Sequence, residues 1–238
     1  MNNNSLTKKE DDLYNRWYES YPKELQEQFC FDGLIYYRDP NCKDDYAEVE
    51  KWENAKRKVL FLMKDTNGNP GEDYRWWKEF YTIKGKFFGT IIKCLWAINR
   101  VTADFKPVFD ESKTIEDYTK EAMPYPMAIV NVKKIAGSPS VRNSSVCSYY
   151  IQDKRFLVEQ IRNILKPNVI VCGGGSGTLL YIAKDIYSDL EFVKYNDWCH
   201  YCKQEDVLII DDYHPSYRYR DNEGLIEAVN EFYKMKEK

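Results

Sequence analysis

The chain has no apolar run near the ~20 residues that a membrane-spanning helix needs, and its opening Met1-Asn2-Asn3-Asn4 lacks the apolar stretch of a secretory signal. We therefore expect a cytoplasmic protein with no membrane partner. An excess of positive charge is also missing: 35 Lys and Arg stand against 38 Asp and Glu, a net charge of -3. No global attraction to nucleic acid follows, so such a partner has to be met by a local basic face. The seven cysteines are odd in number and scattered, which suits a reducing compartment better than a disulfide framework. Only Cys199-His200-Tyr201-Cys202 has ligand-like spacing, and Cys30 and Cys42 lie far upstream. Without a second close pair the expectation is no metal and no cofactor, and the segment reads as a polar, aromatic-rich hairpin or loop. No internal repeat or low-complexity stretch divides the 238 residues, a length that fits one domain.

What the chain does hold is a set of short apolar runs. Val59-Leu60-Phe61-Leu62-Met63 is unbroken, so it reads as a strand covered on both faces, as in a parallel sheet between helices. It stops at Lys64-Asp65 and enters Thr66-Asn67-Gly68-Asn69-Pro70-Gly71, a composition that makes turns. The acid thus closes a central strand, at the edge where open α/β sheets bind ligands. Three more runs repeat the pattern. Met127–Val130 ends in Asn131-Val132-Lys133-Lys134, Val169–Cys172 enters Gly173-Gly174-Gly175-Ser176-Gly177, and Val207–Ile210 ends in Asp211-Asp212-Tyr213-His214-Pro215-Ser216. The glycine-rich turn fits neither the P-loop nor the dinucleotide fingerprint, and reads as a tight turn that lets a helix pack close.

Helical periodicity fills the intervals. It predicts a surface helix over Ser5–Tyr21, a charged one over Glu48–Lys58, and a buried one over Phe87–Arg100 from Phe87, Phe88, Ile91, Ile92, Leu95 and Ile98. Others follow over Asp153–Lys166, stopped by Pro167, after Gly177, and from a cap at Asn222. Phe31–Tyr37 reads as an edge strand or extended lead-in, and Gly137–Cys147 as a loop that holds Arg142. The whole predicts a single α/β domain over residues 1–238: a three-layer α/β/α sandwich around a central, mainly parallel four-stranded sheet, with residues 1–57 as an N-terminal helical cover.

Asp65, Asn131 and His214 each close or closely follow one of these strands, so the topology brings an acid, an amide and an imidazole to one edge. Singly, each has an ordinary account as a turn cap, a satisfier of loop backbone, or a turn residue before proline. In this order Met63-Lys64-Asp65-Thr66, Ala128-Ile129-Val130-Asn131 and His214-Pro215-Ser216 resemble the motifs of the uracil-DNA glycosylase superfamily, over roughly Lys58 to Arg220. His-Pro-Ser after a strand is the most specific of the three. Lys64 and Thr66 stand where that family carries small and proline residues, and Tyr217-Arg218 stands where one branch carries an intercalating leucine.

The resemblance implies a DNA N-glycosylase that flips uracil or another altered base into a pocket and hydrolyses its N-glycosidic bond, a base-excision step of DNA repair. It casts Asp65 as the group that activates water and His214 as the donor to the departing base. Asn131 becomes the reader of the base edge, and Trp76, Phe87 and Phe88 (with Tyr74 and Trp77) the candidates to stack on it. Lys133, Lys134, Arg142, Ser216, Arg218 and Arg220 become contacts to the DNA backbone. The implied partner is DNA, single-stranded and mismatched DNA included. The alternative expectation is a catalytically silent relative that binds a nucleotide or a nucleic-acid end.

Overall fold

The computed structural model describes residues 5–36, 45–66, 69–76, 85–137, 141–218 and 221–237. Arg220, Trp77 and Cys42 lie outside the described residues. The elements run in the order α1 (Leu6–Glu19), α2 (Lys23–Gln26), β1 (Gly33–Leu34), α3 (Asp45–Asn54), β2 (Val59–Asp65), α4 (Lys86–Arg100), α5 (Ile115–Ala122), β3 (Met127–Lys133), α6 (Asn143–Val158), β4 (Val169–Gly173), α7 (Thr178–Ile186), β5 (Val193–Lys194), β6 (Cys199–Cys202), β7 (Val207–Asp212) and α8 (Asn222–Lys236). A 3₁₀ turn occupies Tyr74–Trp76, and α6 passes into a π-helical stretch, Glu159–Leu165.

The sheet is larger than the four strands expected: among the described residues it has seven, in the order β1-β3-β2-β4-β7-β6-β5. The four apolar runs are its centre, and β3, β2, β4 and β7 pair in parallel. Short antiparallel strands extend both sides, β1 on β3 and the β5–β6 pair on β7. β1 falls within the edge strand or lead-in expected at Phe31–Tyr37, and β6 within the hairpin or loop read at Cys199–Cys202; at two to four residues without an apolar run, these edges and β5 do not count in the sequence as strands of the sheet. Alternate residues of the central strands feed two cores. Leu60, Leu62, Val130 and Ile209 pack with α1, α6 and α7, whereas Phe61, Met63, Ile129 and Ile210 pack with α4, α5 and α8.

The expected cover is an integral part of the first core, since Leu13, Tyr14 and Trp17 of α1 are fully buried there. The start of α6 corrects the loop expected up to Cys147, and α8 is capped by Asp221, whose carboxylate accepts from the Gly224 N–H, instead of by Asn222. Among the described residues no helix is long and apolar enough to cross a membrane.

Candidate functional site

The carboxyl edge of the parallel strands is built by their register. Asp65 pairs level with Lys133 across β2 and β3, and Gly173 pairs with Asp212 across β4 and β7, so the chain leaving each strand emerges on the same side. The β4 turn draws the pieces together. A side chain at Gly173 would press on Met63 and stand 3.3 Å from Pro215, and one at Gly174 would stand 3.2 Å from Lys64. The loop after β7, with its His-Pro-Ser, thus rests on the ends of β2 and β4. Gly175 and Gly177 take left-handed backbone (φ 62° and 70°) to turn into α7, which is the close-packing role expected of the glycine run.

His214 lies at the mouth of this edge with its ring 5.5 Å from that of Phe87 at the start of α4. Its Nδ1 accepts the Ser216 backbone N–H at 3.2 Å. Loss of water around the ring pushes the imidazole below its ordinary value, and the positive Lys64 pushes it further in the same direction. A neutral imidazole that accepts at Nδ1 carries its proton on Nε2, so His214 presents a hydrogen-bond donor. Phe88 packs edge-on against Phe87 at 4.8 Å. Of the aromatic candidates, Phe87 is in contact with His214.

Asp65 is held more tightly. Its side chain keeps 10% of its surface, and Oδ2 faces Lys133 Nζ at 3.7 Å. Burial pushes the carboxyl upward, while Lys133 and Lys64 pull it back. Lys133 is equally enclosed, so it is a partner of Asp65 and not an exposed phosphate contact.

Three other expectations are corrected. Lys134 is wholly buried, ion-paired with Asp32, and donates to Gln160 Oε1 at 3.1 Å; no DNA phosphate can reach it. Asn131 is 7% exposed, and both its backbone N–H and its Nδ2 donate to Asp32 Oδ2, at 2.9 and 3.0 Å. One amide donor is therefore spent inside the fold, and Asn131 stands level with Met63, behind the rim. Trp76 lies against Tyr36 at 4.5 Å. The neighbouring Ile35 N–H bonds Met127 O at the start of β3, about 20 Å along that strand from Lys133 by the rise per residue, so Trp76 sits toward the opposite edge of the sheet.

The remaining polar candidates stay on the surface. Arg142 precedes α6, where Asn143 Nδ2 donates to Ser176 Oγ at 2.8 Å and ties this helix start to the β4 turn. Ser216 and Arg218 are exposed in the turn after His214. Lys64, which the sequence offers only as a departure from a motif, is the cation nearest His214 in effect, a role read only from the packing of the β4 turn.

Cys199 and Cys202 occupy a strand. Three positions apart, they point to opposite faces of the sheet, Cys199 joining the α8 side, so the two thiols cannot close on one ion. A cleft of about 210 Å³ lined by Lys9, Trp52, Lys58 and Lys166 opens by the start of β2 and contains none of the predicted site residues. No protein-family model matches the chain, and no curated protein matches it.

Proposed function

We propose that the chain is a divergent relative of the uracil-DNA glycosylases, with their three-layer α/β/α fold, and hydrolyses the N-glycosidic bond of uracil or another altered base in DNA. The observation that carries the reading is the pairing of groups at one sheet edge: an enclosed carboxylate on β2 and an imidazole whose Nδ1 accepts the Ser216 N–H and so leaves Nε2 to donate. In the reaction the bond between the sugar carbon and the base nitrogen breaks, and its electron pair leaves with the base. The oxygen of a water bonds to the sugar carbon and gives its proton to Asp65. His214 Nε2–H donates to the oxygen on which the leaving anion's charge gathers. Phe87, beside His214, is the surface for the base, and Arg142, Lys64 and Arg218 supply a local basic rim that the acidic whole requires.

A second reading, a module that binds a nucleotide or nucleic-acid end without turnover, is favoured by Lys64, a cation where a hydrolase would be better served by a neutral residue. One assay separates the two. Purified protein is incubated with single- and double-stranded oligonucleotides containing uracil, hypoxanthine or a mismatch, and abasic sites are scored. The hydrolase reading expects abasic product that falls about 100- to 1000-fold with His214→Ala and also falls with Asp65→Asn. Binding without product, insensitive to Asp65→Asn, is the outcome that favours the second reading.

A further inference from the structure

The family resemblance places Lys133 at DNA phosphates, and its surroundings assign it elsewhere. It lies level with Asp65 in the β2–β3 ladder, and neither side chain keeps more than a tenth of its surface. The loop that leaves β3 closes over the pair. The Gly137 N–H donates to Thr66 O at 3.0 Å, and a Cβ on Gly137 would overlap Asp65 Oδ2 and stand 3.1 Å from Lys133 Nζ. From α6, the Tyr149 ring lies 5.4 Å from the ammonium, within cation–π range. The ammonium is thus fixed from two sides, 3.7 Å from Oδ2: too far for a hydrogen bond, near enough for a strong charge interaction.

The two oxygens of Asp65 are not equivalent. Oδ2 is buried and, among the described residues, accepts no hydrogen bond. The side of the carboxylate that faces Lys133 is thus closed to water. We infer that Lys133 is a positioning residue for Asp65: its fixed positive charge holds the carboxylate as an anion with Oδ2 turned inward, ready to take the proton of the attacking water. The consequence for turnover rests on the hydrolytic reading above; the charge coupling does not. Burial acts against ionisation of Asp65, and the charged groups that oppose it are Lys133 on β3 and Lys64 on its own strand.

The test follows the Asp65 carboxyl carbon by NMR across pH in substrate-free protein, the signal being assigned by its loss in Asp65→Asn. Lys133→Met removes the charge at similar volume and is expected to raise the Asp65 midpoint by about one pH unit or more. Lys133→Arg keeps the charge and is expected to restore it. In turnover, Lys133→Met moves the acid limb of the kcat/KM profile upward by the same amount, which a merely structural role would not do. A Lys133→Met protein whose Asp65 titrates as in the parent overturns the inference. If Lys133→Met does not fold, the parent decides: the Lys133 Nζ nitrogen resonance must inflect at the Asp65 midpoint, and the lack of that inflection overturns the inference. A shifted midpoint without any base excision leaves the coupling standing and removes the hydrolytic reading. Excision with an unshifted midpoint does the reverse.

Discussion

Asp32 and Lys134 form an ion pair with both side chains closed to water, at most 1% exposed. The pair is a hub: Asp32 also accepts from Tyr14 of α1 and Asn131 of β3, and Gln160 of the π-helical stretch touches both partners. Desolvation makes such a pair weak as a source of net stability but severe to break, since the survivor is a buried unpaired charge. Lys134→Ala is therefore expected to lose about 3–5 kcal/mol in urea unfolding, and Lys134→Met with Asp32→Asn together less than the sum of the two single changes. A Lys134→Ala protein of unchanged stability would return this residue to the surface role that the sequence suggests.

Glu10 of α1 is fully buried, with Tyr36 donating to its Oε2 at 3.1 Å. Burial pushes its carboxyl up to about 8, against the pull of Arg75 and Tyr36. A folded value above the ordinary 4.5 means that its contribution is whole below pH 4.5 and is lost as pH rises through 8. Glu10→Gln mimics the protonated form. The parent is expected to lose stability between about pH 4.5 and 8, and Glu10→Gln to remove much of that slope and melt higher than the parent at pH 8.

His200 gives the opposite slope. Lys184 Nζ lies 3.0 Å from its Nδ1, and burial, then Lys184 and Lys194, push the imidazole down to about 4. Its folded value lies below the ordinary 6.5, so its contribution is present above pH 6.5 and lost as pH falls through 4. One such group changes stability by up to about 1.4 kcal/mol per pH unit in that window. His200→Gln is expected to flatten the acid limb of a thermal-melt profile without touching the alkaline limb set by Glu10. The two windows overlap between about pH 4.5 and 6.5, where the opposed slopes offset each other, so together the two groups place the stability optimum on a plateau there.

Gly137 tests the site by volume instead of charge. Its φ lies outside the left-handed region, so alanine is compatible with the backbone, yet the added Cβ overlaps Asp65 Oδ2. Gly137→Ala is expected to cost about 1–3 kcal/mol by overpacking and to turn the Asp65 carboxylate. Turnover should fall toward the level of Asp65→Asn while the far-ultraviolet spectrum is retained. Full activity in Gly137→Ala would mean that the carboxylate position is not critical.

The parallel core is legible in the sequence because its strands are buried on both faces, and runs such as Val59–Met63 are unbroken, of strand length and stopped by turn residues. Asp65 and His214 are legible for the same reason: the end of such a run marks the edge. What stays hidden depends on partners distant in the chain. Nothing around Asn131 or Lys134 announces Asp32, and Glu10 stands among charged neighbours in a helix whose other acids face water. The first turns of α6, Asn143-Ser144-Ser145, are poor helix formers, so tertiary packing of Val146 and Tyr150 decides that helix, not propensity. Cys199–Cys202 looks like a ligand motif because sequence spacing ignores the alternation of a strand.

The connectivity of the sheet also has a kinetic side. The rim is assembled from Asp65, Lys133, the Gly173 turn and His214, which lie on or just after four parallel strands joined through α4–α5, α6, and α7 with the β5–β6 pair. None of these groups meets another through a local hairpin, and non-local parallel pairing is slow to form. The chemistry-bearing edge is therefore expected to be complete only once all four parallel strands have paired. A fluorine label reporting the Phe87–His214 contact is accordingly expected to appear in refolding with the global transition, after the bulk of helical ellipticity has already been recovered.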